Sequence, residues 1–246
     1  MEKTILISND DGIHSEGIKA LARALRRVGE VYVVAPDRER SAVSHSLTIH
    51  RPLRVEQHAT HIYAIDGTPT DCINIAVNGI LKKRPDLVVS GINKGGNLGD
   101  DVTYSGTVSA AMEGTLLGIP SIAISLASRG NFDFTLAARF AVRLARFVLK
   151  NGLPKDTLLN VNVPEGVDIK GYRVTKQGKR FYGDAVVEKV DPRGKKYYWI
   201  GGDILKWEGG QDTDFQAVAD QFISITPVHL DLTNYASFKE LYNWKF

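Results

Sequence analysis

The chain has 246 residues, of which 43% are hydrophobic and 24% charged, a composition typical of a globular protein with enough apolar residues for a large core. The formal net charge is +3 without a long basic run, so nucleic acid is not expected as the main ligand. No stretch approaches the roughly 18 consecutive apolar residues of a membrane span, and the first residues lead directly into a strand, so we expect a cytoplasmic protein without membrane association.

The first predicted element is a buried strand over Thr4 to Ser8, which runs into Asn9, Asp10, Asp11 and Gly12. Two neighbouring carboxylates at the end of an apolar strand repel each other unless a cation lies between them, so Asp10 and Asp11 are candidate metal ligands. The alternative is a plain polar turn, because Asn, Asp and Gly are common turn residues.

Helices and strands alternate after this strand. The predicted elements are a helix over 18–28, strands over 31–35 and 62–65, a helix over 68–81, a strand over 86–93, a helix over 106–117, a strand over 121–125, a helix over 133–149 and a strand over 158–163. Short strands that are apolar on both faces, separated by amphipathic helices, indicate a mostly parallel sheet covered on both sides. We therefore predict an α/β, doubly wound, Rossmann-like core for residues 1–165.

The helix over 68–81 carries two further signals. Thr68 is a typical N-cap residue, and Pro69 occupies the first helical position, where proline is favoured. The single cysteine of the chain, Cys72, excludes an internal disulfide framework and a cysteine-based zinc cluster. We expect Cys72 to pack in the core.

The sequence changes character after residue 165. Segments 174–190 and 195–200 flank Asp191-Pro-Arg-Gly194 and predict a long charged hairpin, with Tyr197 to Trp199 in one arm. A strand over 222–228 and a closing segment over 235–244 complete the chain. Because so much aromatic surface belongs to no obvious sheet, we expect residues 166–246 to form an extension that takes part in oligomerisation. The alternative is that these aromatic residues pack on their own domain.

Oxygen-rich loops follow the first, second and fourth predicted strands. In an open parallel sheet, ligands bind at the carboxyl ends of the strands, near the point where strand order reverses. Carboxylate, hydroxyl and amide oxygens suit Mg²⁺ or Mn²⁺. The predicted metal ligands are Asp10, Asp11, Ser41 and Asn93. The histidines offer no convincing alternative, since His58 and His61 lie in a predicted hairpin and His14 in a loop.

A glycine-rich segment from Gly91 to Asn97 precedes Ser105 to Thr107 at the start of a predicted helix. Glycines allow close approach of the backbone to an anion, and the unpaired amides of a first helical turn bind phosphate. The spacing matches neither a Walker loop nor a dinucleotide fingerprint, and a structural helix cap explains the serine about as well. The residues predicted to contact phosphate or substrate are Asn9, Gly91, Asn93, Gly95, Ser105, Gly106 and Thr107.

A divalent cation beside a phosphate cradle predicts phosphoryl chemistry, with water as the simplest acceptor. We expect a phosphohydrolase with Asp10, Asp11 and Asn97 as catalytic residues, whether an aspartate attacks phosphorus directly or serves as a base. One alternative is a non-catalytic nucleotide-binding module, which would not require the acidic pair. Another is a receiver-like signalling module, which is disfavoured because the strand that ends at Ser125 supplies no lysine.

Seven short motifs occur in a fixed order between residues 5 and 126. They are Asn9-Asp-Asp-Gly12, Ala35-Pro-Asp-Arg38, Arg40-Ser41, Gly67-Thr-Pro-Thr-Asp-Cys72, Ser90-Gly-Ile-Asn93, Asn97-Leu-Gly-Asp-Asp101 and Tyr104-Ser-Gly-Thr-Val-Ser-Ala-Ala-Met-Glu-Gly114. Together these motifs resemble those of the SurE family, the survival-protein nucleotidases.

The resemblance implies a phosphatase with one divalent cation, Mg²⁺ or Mn²⁺, per subunit. The implied substrates are nucleoside 5′- and 3′-monophosphates, and polyphosphate for some members. The implied metal ligands are again Asp10, Asp11, Ser41 and Asn93, and the implied phosphate contacts are Asn97, Ser105, Gly106 and Thr107. Family members are homodimers or homotetramers that exchange C-terminal elements. Ala42 stands where the family often has glycine, and Lys94 where a small residue is expected, so base and chain-length preferences are not carried over.

Overall fold

A computed structural model describes residues 2–128, 130, 132–166, 168–182, 186–200, 204–208 and 210–245. The strands are β1 (Thr4–Ser8), β2 (Glu30–Pro36), β3 (Val55–Ala59), β4 (Ile62–Ile65), β5 (Leu87–Lys94), β6 (Ser121–Ala127), β7 (Thr157–Pro164), β8 (Tyr172–Val174), β9 (Lys179–Tyr182), β10 (Val186–Val190), β11 (Lys196–Ile200), β12 (Ile204–Glu208) and β13 (Ile223–His229). The α-helices are α1 (Glu16–Leu25), α2 (Pro69–Ile75), α3 (Gly106–Leu116), α4 (Thr135–Asn151), α5 (Asp214–Ala219) and α6 (Phe238–Leu241).

Nine of these strands form one sheet, in the order β3-β4-β2-β1-β5-β6-β7-β13-β8. The strands from β4 to β7 in this order are mutually parallel, whereas β3 and β13 pair antiparallel with their neighbours β4 and β7. The chain proceeds from β1 outward to β2 and β4 and then returns to β5 on the other side of β1. The strand order therefore reverses between β1 and β5, and the crevice beyond their carboxyl ends is the expected ligand site.

Helices cover both faces of the sheet. Ile5 and Ile7 of β1 pack in one core with residues of α1 and α4, while Leu6 packs in a second core with Cys72 and Ala110 of α2 and α3. Since alternate side chains of a strand point to opposite faces, the buried residues of β1 require cover on both sides. The predicted α/β, doubly wound fold and the core position of Cys72 are confirmed.

Local cap chemistry explains where several helices begin. The Thr68 hydroxyl accepts from the Asp71 N–H, and the Asp71 carboxylate accepts from the Thr68 N–H, which forms a capping box with Pro69 at the first helical position. Ser15 caps α1 through its hydroxyl, which accepts from the Ile18 N–H. Helix α2 is shorter than predicted, because α-helical bonding ends at Ile75 and a π-helical segment, Ala76–Ile80, continues to the predicted end.

The C-terminal residues contribute both to the main sheet and to a separate hairpin. Strands β13 and β8 extend the main sheet beyond β7. The hairpin consists of two antiparallel ladders, β9 with β12 and β10 with β11. The prediction that the first arm begins at Val174 is wrong, because Val174 pairs with Ile225 in the main sheet and the arm begins at Lys179. Residues 183–185 of the predicted arm lie outside the described residues.

Candidate active site

The loops after β1 and β2 pack against each other at the carboxyl edge of the sheet. The Arg40 N–H donates to the Asp10 carbonyl over 2.7 Å, and the Ile13 N–H donates to the Pro36 carbonyl over 2.9 Å. Gly12 has a φ of +90°, and a Cβ at this position would lie 2.9 Å from the carbonyl carbon of Arg38. Glycine is therefore needed at Gly12, both for the left-handed backbone and for the close approach of the second loop.

Asp10 lies buried against the N-terminus of α3. Its carboxylate accepts a hydrogen bond from the Thr107 hydroxyl, and a Cβ on Gly106 would lie only 2.7 Å from the Asp10 Cβ. Burial raises the pKa of Asp10 above its usual value, while the hydroxyl and backbone bonds from Thr107 act in the opposite direction. The first turn of α3 therefore partly compensates a carboxylate that has little contact with water.

Asp11 is the more accessible carboxylate of the pair. Burial, followed by the charge of Asp10, raises the pKa of Asp11 from 3.8 to about 6. The Lys94 N–H at the end of β5 approaches its Oδ2 at 3.4 Å and lowers that pKa in part. Two carboxylates that each raise the cost of ionising the other are the arrangement that a divalent cation relieves.

The other two predicted metal ligands lie on segments that are hydrogen-bonded to this acidic pair, Asn93 near the end of β5 and Ser41 in the loop after β2. Asn93 is half-buried, and its amide nitrogen donates to the Gly95 carbonyl over 2.9 Å, which holds the side chain at the end of β5. Ser41 is exposed, and its hydroxyl donates to a Glu39 carboxylate oxygen over 2.6 Å. The next residue, Ala42, has a φ of +55°, a left-handed backbone that favours glycine.

Glu39 was missed by the sequence reasoning. Its negative charge raises the pKa values of both Asp10 and Asp11, so it lies within electrostatic reach of the pair. Among the residues that the structure describes, no group of three or more His, Cys, Asp or Glu side chains is arranged to hold a metal ion. A cation at this edge therefore requires hydroxyl and amide oxygens such as those of Ser41 and Asn93, in addition to the two carboxylates.

Two residues of the predicted phosphate cradle, Ser105 and Gly91, have structural roles. Ser105 is the N-cap of α3, where its hydroxyl accepts from the Val108 N–H over 3.1 Å. A Cβ at Gly91 would lie 2.2 Å from the Ile124 carbonyl oxygen, so this glycine serves the packing of β5 on β6. Gly95, by contrast, has a φ of +98° and open space where a Cβ would point. Its backbone groups are nonetheless paired, because the N–H donates to the Leu126 carbonyl over 2.9 Å and the carbonyl accepts from Asn93.

Asn97 is held by a buried polar network. Its backbone N–H donates to Asn162 over 2.8 Å, its carbonyl accepts from Asn160 and Asn162, and its side-chain amide donates to the Ser125 hydroxyl over 2.8 Å. The three partners lie on β6 and β7 and were not singled out from sequence. The signal available was the polar alternation Asn160-Val-Asn162 within an otherwise apolar strand, which placed two amides on one face.

Asn9, His58 and His61 each contact different neighbours. The Asn9 amide donates to the Gly12 carbonyl and the Ser15 hydroxyl, so it braces the turn after β1. The His58 ring lies 5.4 Å from that of His14, and the His61 ring stacks on Tyr32 at 4.0 Å. His58 and His61 therefore have separate ring partners.

The chain is similar to known proteins over nearly its whole length. The family model described as survival protein SurE matches residues 5–184. The chain belongs to the SurE family. It is similar to the 5′-nucleotidase SurE of Geobacter sulfurreducens, at 59% identity over 98% of this chain and 93% of that protein, and to its namesake in Geobacter metallireducens, at 56% identity over 98% and 97%.

A crystal structure of the SurE protein from Aquifex aeolicus is similar to this chain, with a TM-score of 0.88 and 50% identity over 97% of this chain and 98% of that one. Membership of the SurE family confirms the resemblance inferred from the ordered motifs, all of which lie within the matched residues. Among the described helices, none is both long enough and apolar enough to cross a membrane.

Proposed function

We propose that this SurE-family chain hydrolyses nucleoside 5′-monophosphates to a nucleoside and inorganic phosphate, with a divalent cation at Asp10 and Asp11. The observation that carries the proposal is the placement of this acidic pair at the switch point of the sheet, with Asp10 against the N-terminus of α3. A helix N-terminus favours phosphate, and a cation would neutralise the carboxylates that would otherwise repel it.

The chain is a phosphoric monoester hydrolase, because relatives that are 59% and 56% identical over nearly its whole length carry the name 5′-nucleotidase. These relatives therefore argue against the alternative of a non-catalytic nucleotide-binding module. The receiver-like alternative also lacks its lysine, since β6 ends in Ser125, Leu126 and Ala127.

The donor atoms at the crevice fit Mg²⁺ or Mn²⁺. Both carboxylates have raised pKa values, and both lie at the edge where Asn93 and the loop of Ser41 converge. Asp10, Asp11, Ser41 and Asn93 would hold one cation per subunit through oxygen atoms. When bound, the cation would polarise a phosphate oxygen and offset the charge that develops during hydrolysis.

The chain's own residues position the phosphate. The Thr107 hydroxyl fixes the Asp10 carboxylate, and the start of α3 supplies the partial positive charge of its N-terminus. Asn97 is anchored through backbone and side chain, so its position is set before substrate binds. We assign catalytic roles to Asp10, Asp11 and Asn97, and substrate contacts to Gly95 and the first turn of α3.

Chelation provides the test of the proposed reaction. Protein treated with EDTA is expected to release no phosphate from 5′-AMP, and added Mn²⁺ or Mg²⁺ is expected to restore release, because the acidic pair alone repels the substrate. We propose 3′-monophosphates and polyphosphate as further substrates. Phosphate release from a panel of ribonucleoside and deoxyribonucleoside 5′- and 3′-monophosphates, with polyphosphate, measures the substrate range. Full activity after metal removal, or no phosphate release with either cation, would contradict the proposal.

We further propose that the chain forms a homodimer or homotetramer through residues 166–246, an extension on the catalytic core of residues 1–165. Strands β10 and β11 are exposed along their length, with Trp199 65% and Ile200 90% exposed. Apolar surface of this extent favours a partner. The double variant Trp199→Glu, Ile200→Lys is expected to lower the mass measured by light scattering, whereas Lys195→Glu at the exposed hairpin turn is not. An unchanged mass would exclude this surface from the interface.

A further inference from the structure

Asp214 is a fully buried carboxylate that joins three separate segments of the chain. Its Oδ2 accepts from the Gly99 N–H over 2.7 Å, and its Oδ1 accepts from the Gly178 N–H over 2.9 Å and from the Phe215 N–H over 2.8 Å. Burial raises the pKa of Asp214, and the backbone bonds act in the opposite direction. A buried carboxylate is tolerated where several N–H groups converge on it.

The Gly178 partner lies at the base of the hairpin, just before β9. A Cβ on Gly178 would lie 2.1 Å from the Phe215 ring, so a glycine is needed for the chain to pass between this ring and the carboxylate. The Asp214 N–H in turn donates to the Lys176 carbonyl over 2.9 Å. The hairpin base and the start of α5 are therefore held together around Asp214 by contacts other than its bond to Gly99.

The Gly99 partner lies in the wall of the candidate active site. It falls two residues after Asn97 and begins the 3₁₀ segment, Gly99–Thr103, that leads to the Ser105 cap of α3. The hairpin base makes a second tie to the same segment, because the Arg180 N–H donates to the Asp100 carboxylate over 3.2 Å and its guanidinium pairs with Asp101. Asp214 thus holds the stretch that connects the two predicted phosphate-contacting regions.

We propose that Asp214 is a positioning residue, which fixes the active-site segment from Asn97 to Ser105 to the base of the hairpin. The expected effect of Asp214 on catalysis rests on the proposed function, whereas its expected effect on the segment rests on geometry alone. It also ties the hairpin, the proposed oligomer contact, to the wall of the crevice. A conformational change at the hairpin base would therefore be transmitted to Asn97 through the bond between Asp214 and Gly99.

Asp214→Asn tests the proposal with minimal change in shape. The amide oxygen can retain the Gly178 and Phe215 bonds, which places the amide N–H₂ against the Gly99 N–H and removes that one tie. We expect amide hydrogen exchange over residues 97–105 to accelerate about tenfold. We expect kcat for 5′-AMP to fall about tenfold or more, with the Mn²⁺ activation midpoint changed by less than about twofold, because the acidic pair is not displaced.

Asp86→Asn is the matched control. Its carboxylate accepts from the Thr4 N–H over 2.9 Å, but at the amino ends of the strands, remote from the crevice. This variant is expected to alter neither kcat nor exchange over 97–105. Asp100→Ala, at an exposed residue, removes the Arg180 N–H bond of the second tie and is expected to accelerate exchange in the same segment should the buried substitution prevent folding.

Coupling to Asn97 separates positioning from general destabilisation. In an Asn97→Ala background, Asp214→Asn is expected to cost little further activity, whereas an independent effect would multiply. Unchanged exchange over 97–105, unchanged kcat, or fully multiplicative losses would overturn the proposal. If the unmodified protein proves inactive with Mn²⁺, the proposed function fails, and the exchange experiment alone decides whether Asp214 fixes the segment.

Discussion

Asp11→Asn is expected to lower kcat for 5′-AMP by about three orders of magnitude in the presence of Mn²⁺. The substitution keeps the size of the side chain but removes one of the two anions that would hold the cation beside the phosphate. In the metal-free protein, the same substitution is expected to raise the free energy of unfolding at neutral pH, because it removes a carboxylate that is costly to ionise next to Asp10.

The sign of this stability effect follows from the pKa of Asp11, which is raised from 3.8 to about 6 in the folded protein. The folded state binds the proton more tightly than the unfolded chain, so the contribution of Asp11 to stability is greatest below pH 3.8 and is lost as the pH rises to about 6. Asparagine carries no charge at any pH. The free energy of unfolding of the metal-free variant should therefore exceed that of the unmodified protein by about 1–3 kcal/mol above pH 6. The two values should be equal below about pH 4.

Urea unfolding with EDTA at a series of pH values measures the effect, and the same series with Mn²⁺ should reverse the order, because only the unmodified protein gains stability from the bound cation. Asp156→Asn is the control, since this exposed carboxylate precedes β7 at the opposite edge of the sheet. Retained hydrolysis in Asp11→Asn, or a less stable metal-free variant at neutral pH, would reject the role assigned to the acidic pair.

Gly106→Ala is expected to lower kcat/KM about 100-fold by displacing Asp10. The added Cβ would lie 2.7 Å from the Asp10 Cβ and 3.0 Å from its Oδ2, closer than real side chains pack, so the carboxylate must move away from α3. The movement would stretch the bond from the Thr107 hydroxyl and weaken Mn²⁺ binding. We expect a loss of about 1–3 kcal/mol in the free energy of unfolding as well.

Steady-state kinetics with a Mn²⁺ titration measures this result, and Gly79→Ala provides the comparison. The nearest atom to a Cβ at Gly79 is 3.9 Å away, in the exposed π-helical segment after α2, so alanine fits there without displacing a neighbour. Activity in Gly79→Ala should be unchanged. An unchanged Mn²⁺ midpoint in Gly106→Ala would show that Asp10 does not depend on the close approach of α3.

The sequence alone determined the local structure and the position of the acidic pair. Apolar periodicity predicted the strands and helices of the parallel sheet. Thr68 and Ser105 are N-cap residues and Pro69 occupies the first helical position, as their residue types favour. These signals depend on neighbours within a few residues, so they survive without knowledge of the fold. Ordered motifs also predicted the family, and most of them fall at strand ends or helix starts.

Only the tertiary structure decided how the site is held. The bond from Thr107 to Asp10 spans 97 residues of sequence, and the tie from Asp214 to Gly99 spans 115. The pairing of Val174 with Ile225 likewise moved part of the predicted hairpin into the main sheet. Such contacts depend on strand order and on which buried N–H groups lack a partner, and neither is fixed by local propensity. Residue types therefore specified the chemistry at the crevice, while long-range packing specified which side chains orient it.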